Sequence, residues 1–191
     1  MEDSLKQSDA CVISNVSSLS VNSDYSDEKW EKPPRCFFKI NFDAAVHPDG
    51  SGDIGCVIRD SRGYCLGAAT RRIFSSLSVD QLEGMAVVQG AVFARNIYCN
   101  KVILEGDSSK VCNFYNSKQV DRSVFGSILA NLHSLGNCFN SFHVLWKRRK
   151  CNNAPHEVAK LSFSCTYSIL KVYWFDDLPS PLVAALTSDA N

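Results

Sequence analysis

The chain has 191 residues, 45% of them hydrophobic, enough for one core with a tail at either end and too few for a comfortable second domain. Lys plus Arg and Asp plus Glu both number 20, so the formal charge is zero and no global field draws the protein onto a polyanion. Any nucleic-acid contact must come from a local patch. The nine cysteines are odd in number and stand singly, with no C-x-x-C pair and no Cys/His cluster at zinc-ligand spacing. This predicts reduced thiols in an intracellular protein, nuclear or cytoplasmic. The first twenty residues set Glu2, Asp3, Lys6 and Asp9 among serines, without the basic and apolar regions of a signal peptide. No run approaches the ~18 continuous apolar residues of a membrane span, so no membrane association is expected.

Residues 1–29 are rich in Ser, Asp and Asn and offer too little apolar surface to offset their ordering entropy, which predicts a disordered tail or linker. Order is expected from Trp30, where Pro33 and Pro34 lead extended chain into a strand over Cys36–Val46. A Pro/Gly loop at His47–Asp53, a strand at Ile54–Arg59, a tight turn at Asp60–Gly63 and a strand at Tyr64–Ile73 complete an antiparallel meander. Ser78 then stands three residues before Gln81 at capping-box spacing, opening a helix to about Cys99 with Leu82, Met85, Ala86, Phe93 and Ile97 at helical intervals.

A short strand at Lys101–Glu105, helices at Ser108–Asn116 and Ser123–Leu135, and a last strand at about Phe139–Trp146 follow. The final helix is expected from Asn152, a favourable N-cap, with Pro155 tolerated in its first turn and Val158, Leu161 and Phe163 for packing. The order is βββαβααβα, giving a domain over 30–170 and a C-terminal tail over 171–191.

Three acidic residues sit where an element's end or first turn reaches one edge of the sheet: Asp43 ending the first strand, Glu83 early in the long helix, and Asp107 just after the fourth strand. Carboxylates gathered in this way repel unless cations bind between them. Hard Mg²⁺ prefers oxygen ligands, and two such ions ~4 Å apart can activate a water and stabilise a leaving oxygen in phosphodiester cleavage. The bland alternative makes Asp43 and Asp107 strand-end residues capping turns, and Glu83 a first-turn acid favoured by the helix dipole.

The residues that carry a family resemblance run in chain order. They are Trp30 with Pro33 and Pro34, Lys39-Ile40-Asn41-Phe42-Asp43-Ala44-Ala45, Gly55-Cys56-Val57-Ile58-Arg59-Asp60 with Gly63, Leu82-Glu83, Glu105-Gly106-Asp107-Ser108, Asn152, and His156-Glu157-Val158-Ala159-Lys160. Trp174-Phe175, Pro179 and Pro181-Leu182-Val183 extend the series. The chain resembles the plant ribonuclease H-like (type 1 ribonuclease H) domains related to the nuclease domain of non-LTR retroelement reverse transcriptases. The resemblance implies an α/β ribonuclease H-like fold, with a five-stranded mixed sheet of three antiparallel then two parallel strands flanked by helices. It further implies an endonuclease that binds an RNA–DNA hybrid and cleaves the RNA strand, with Mg²⁺ (or Mn²⁺) held by Asp43, Glu83 and Asp107.

The sequence departs from that pattern in three places. Many family enzymes hold a fourth carboxylate where His156 stands; a neutral imidazole is a poor Mg²⁺ ligand and suits Mn²⁺ better, and the alternative for His156 is exposure to solvent or a bond to a neighbour. Glu157 is no substitute, because one residue turns a helix by ~100°. Gly84 costs ~1 kcal/mol relative to Ala in a helix interior, and either admits a substrate backbone or marks drift. No long basic insertion follows Asn116, so Lys147, Arg148, Arg149 and Lys150 are the one strong basic run, read as a phosphate contact or as a solvated loop. These departures leave an alternative function open, a catalytically weak or inactive domesticated retroelement domain acting as a nucleic-acid or protein interaction module. A monomer is expected.

Overall fold

Strand β1 (Phe38–Val46) pairs antiparallel with β2 (Gly52–Arg59), and β2 with β3 (Cys65–Ile73), giving the expected meander. The structure is a computed structural model that describes residues 29–162 and 171–190. At the β2–β3 turn Gly63 adopts φ +91°, open to glycine without strain, while Asp60 Oδ1 accepts from the amides of Arg62 and Tyr64. Helix α1 (Val79–Asn96) begins at the Ser78 capping box: the Gln81 amide donates to Ser78 Oγ and the Ser78 amide to Gln81 Oε1. Strand β4 (Lys101–Gly106) adds parallel to the far side of β1. Helices α2 (Ser109–Ser117) and α3 (Val124–Gly136) are N-capped by Ser108 and Ser123, and β5 (Ser141–Trp146) lies parallel to β4.

The sheet has six strands in the order β5-β4-β1-β2-β3-β6, one more than the five expected. The sixth, β6 (Lys171–Trp174), comes from the segment read as a tail and pairs antiparallel with β3, from Arg71 opposite Lys171 to Ala68 opposite Trp174. It covers backbone groups that an open β3 edge would leave unpaired. Helix α4 (Asn153–Leu161) and helix α5 (Ser180–Ala190) close the chain. Phe163, expected among the packing residues of the last helix, lies outside the described residues. No helix among the described residues is long and apolar enough to cross a membrane.

The period-two alternation of β1 divides the molecule into two layers. Ile40, Phe42 and the opposing Cys56 and Ile58 join Leu82, Ala86, Val87 and Phe93 of α1 and Leu129 and Leu132 of α3 in the main core. On the opposite face Val57 and Ala68 meet Ala154 and Val158 of α4 and Leu182 of α5. This second layer is thin because α4 lies almost on the sheet: a Cβ at Gly55 would come 2.6 Å from both the Ala159 nitrogen and the Pro155 carbonyl oxygen. Those are backbone atoms and cannot swing away. Gly55→Ala is therefore expected to destabilise the protein by ~1–3 kcal/mol, read as a lower midpoint in urea unfolding, whereas Gly84→Ala, with only the Ile128 side chain at 3.1 Å, should cost less.

Candidate metal centre

Asp43 lies inside β1 and does not end it as expected, because pairing with β2 carries the strand on to Val46; it stands past the last residue paired with β4. Glu83 is in the first turns of α1, whose start is fixed by the Ser78 cap. Asp107 follows the last residue of β4 and precedes the Ser108 cap of α2. The three carboxylates converge, with one oxygen from each lying within 4.8 Å of the others. Asp43 and Glu83 are buried, at 3% and 5% exposure, and Asp107 is half-buried at the rim.

Burial and the neighbouring Asp43 and Asp107 charges push the Glu83 carboxyl up to about 9, against a hydrogen bond from the Ala44 backbone that works the other way. Burial and the Asp107 charge likewise raise Asp43, opposed by its contact with His156. Glu83 Oε2 is buried and without a hydrogen-bond partner. Such an atom is costly unless something occupies the space in front of it. An all-oxygen donor set, crowded, acidic and carrying an orphaned oxygen, fits a hard divalent cation, which would be held by Asp43, Glu83 and Asp107.

His156 projects from α4 to place Nδ1 2.7 Å from Asp43 Oδ2. When Asp43 is ionised, Nδ1 carries the proton of this contact. Of the two readings for His156, a bond to a neighbour is what the geometry displays, and the neighbour is one of the three carboxylates. Gly84 faces α3, where a Cβ would meet Ile128 Cγ2 at 3.1 Å, so its lack of a side chain allows close helix packing.

The basic run leaves the end of β5 beside the carboxylates, where the Lys147 amide donates to the Gly106 carbonyl. Lys147 is mostly covered and its ammonium lies 3.5 Å from Glu31. Arg148 is half-buried, while Arg149 and Lys150 are exposed. Arg149 is near enough for its charge to lower the pKa of both Asp43 and Glu83. Trp146, 48% exposed, donates its indole N–H to the Asp107 carbonyl at 3.0 Å and so forms part of the rim.

Beneath the carboxylates runs a buried polar seam that the sequence reading missed. Asn41 Oδ1 accepts from Trp30 Nε1 at 2.9 Å and Arg59 Nη2 at 2.8 Å, while its Nδ2 lies 3.3 Å from Asn152 Oδ1 and 3.5 Å from Glu105 Oε2. Lys39 and Glu105 pair at 2.9 Å, both almost fully buried. Asn152, expected as an N-cap, makes no side-chain cap: its Nδ2 donates to the Phe42 carbonyl at 2.7 Å, fastening the start of α4 to β1 one residue before Asp43. The available signal was the alternation Lys39, Asn41, Asp43, a polar stripe that reads as a solvent face until the last helix is laid over it.

The family model described as "Reverse transcriptase-like" matches residues 41–162. The chain belongs to that family. Its fold is that of ribonuclease H. The ribonuclease H1 of the archaeon Halobacterium salinarum superposes with a TM-score of 0.63 at 17% identity, over 68% of this chain and 99% of that one. The N-terminal ribonuclease H domain of a Mycobacterium tuberculosis protein superposes with a TM-score of 0.60 at 15% identity, over 80% and 97%. LC11-RNase H1, isolated from compost and solved with an RNA/DNA hybrid, gives 0.59 at 15% identity, over 64% and 94%. No curated protein matches the sequence.

The raised Glu83 pKa makes the metal-free ribonuclease H-like domain sensitive to pH. The folded state keeps a proton between the ordinary value of 4.5 and about 9 that the unfolded chain has lost, so this stabilisation is fully present below 4.5 and disappears as pH rises through about 9. With divalent ions chelated, thermal stability should fall between pH 6 and 9, and Glu83→Gln should flatten that slope.

Proposed function

We propose that this domain is a metal-dependent endonuclease that cleaves the RNA strand of RNA–DNA hybrids, using Mg²⁺ or Mn²⁺ held by Asp43, Glu83 and Asp107. The observation that carries the reading is the meeting of three carboxylates within 4.8 Å, together with a buried Glu83 oxygen that has no hydrogen-bond partner. Asp43, Glu83 and Asp107 would hold the cation, which would supply neutralisation of phosphate charge and a lowered pKa for an attacking water.

The chain's own residues orient, shield and move protons. His156 holds the Asp43 carboxylate through its Oδ2 and so fixes its orientation. With its side chain 25% exposed, His156 also connects the buried carboxylate to solvent and can pass a proton to or from a substrate oxygen. Glu83 and Asp107 present carboxylate oxygens from two elements whose starts are locked by serine caps. Arg149 and Lys150, with Arg148 behind them, offer positive charge to the nucleic-acid backbone at the rim. Trp146 presents an aromatic face on which a base or sugar can stack. Binding that relies on so few charges is weak and salt-sensitive.

The test is a cleavage assay on labelled RNA–DNA hybrid, double-stranded RNA and double-stranded DNA, with Mg²⁺ and with Mn²⁺. Hybrid cleavage is expected, reduced by roughly 100-fold or more in Asp43→Asn with the fold retained. His156→Asp, which restores a fourth carboxylate, should raise activity in Mg²⁺ more than in Mn²⁺. Equal cleavage by the wild type and Asp43→Asn would sink the proposal, and binding without turnover in either metal would favour an interaction module.

A further inference from the structure

Away from the carboxylates, a cavity of about 470 Å³ opens between α1, α3 and the β3–β6 edge of the sheet. Its walls are apolar, formed chiefly by Met85, Val88 and Val92 of α1 and Ile128 of α3. Met85, Val88, Gln89 and Val92 follow one another at i, i+3, i+4 and i+7, a single stripe along the helix. The three apolar members stay half-buried because α3 does not cover them. The volume falls within the ~300–1,000 Å³ of small-molecule sites.

Two further features give this cavity a chemistry. Gln89 lines it at 6% exposure, and neither end of its carboxamide makes a well-formed hydrogen bond; the weakly bonding Cys56 thiol is beside it. A buried carboxamide in that condition is costly, and a ligand oxygen would relieve it. At the sheet edge Arg71 and Lys171 stand directly opposite each other on antiparallel strands, and both line the cavity. Like charges in that position repel, and among the described residues neither is paired with a carboxylate. An anion between them turns that repulsion into attraction.

We infer that this cavity is a second ligand site, which takes a small amphipathic monocarboxylate with its head between Arg71 and Lys171 and its apolar chain along the Met85–Val88–Val92 stripe. The Gln89 carboxamide, with two donor hydrogens and an acceptor oxygen, bonds to polar atoms of the bound molecule. The site is separate in chemistry from the acidic centre: it is cationic and apolar where the other is anionic and polar.

The test uses the full chain and decanoate as probe, with decanol as the uncharged analogue, read by calorimetric titration and by the shift in thermal unfolding. Decanoate is expected to bind saturably at one site and raise the unfolding temperature. Arg71→Gln with Lys171→Gln should weaken decanoate roughly tenfold or more and decanol less than about twofold. Val92→Trp, which fills the cavity from its exposed side, should abolish binding of both. If it unfolds the protein, Val88→Phe serves instead. Decanoate uptake that does not saturate, or that is unchanged by the loss of both cations, overturns the inference.

Discussion

The parity of β1 is the constraint on which the rest depends. Because successive side chains of a strand point to opposite faces, Lys39, Asn41 and Asp43 share one face and Ile40, Phe42 and Ala44 the other. A one-residue slip would send Asp43 into the main core and Phe42 into the polar seam under α4. The antiparallel pairing with β2 and the parallel pairing with β4 are therefore locked by the same residues that set the site, since Asn41 is paired in register with both Val57 and Glu105. The hydrophobic layer on α1 fixes the register, and the register delivers the carboxylate.

The polar face of β1 is covered rather than solvated, and this explains how three acids can be held so close. Trp30, Arg59, Asn152 and the Lys39–Glu105 pair form a connected, largely hydrogen-bonded floor in which each buried group orients the next. A floor of this kind adds little net stability over an apolar one, and removing one member of a buried pair costs ~3–5 kcal/mol. What it contributes is position. The carboxylates above it repel, raise the Glu83 and Asp43 pKa values and leave an oxygen unsatisfied, a cost that a bound cation would offset.

Much of this was legible in the sequence, for identifiable reasons. The meander and the long helix were readable because Phe38, Ile40 and Phe42 alternate and because Ser78 and Gln81 signal a helix start. Asp43, Glu83 and Asp107 stood out as acids at element boundaries. The sixth strand was not readable: four residues, Lys171–Trp174, are too short for alternation to show, and their partner lies a hundred positions earlier in the chain. Asn152 looked like a cap because local sequence cannot reveal that the Phe42 carbonyl competes for it. Gly84 looked anomalous because its reason, Ile128, lies on another helix.

Arg59 has a consequence for where the folding unit ends. Its guanidinium stacks 3.5 Å from the centre of the Trp30 ring on one side and pairs with Asp189 at 2.6 Å on another, so the two extremities of the described chain are clipped to one side chain. The segment matched by the family model, residues 41–162, stops short of both clips. A piece cut to those limits would leave the Arg59 guanidinium without Trp30 and Asp189, held by Asn41 and opened to water. The packed structure thus reaches beyond the matched segment at both ends, to Trp30 and to Asp189, through one side chain.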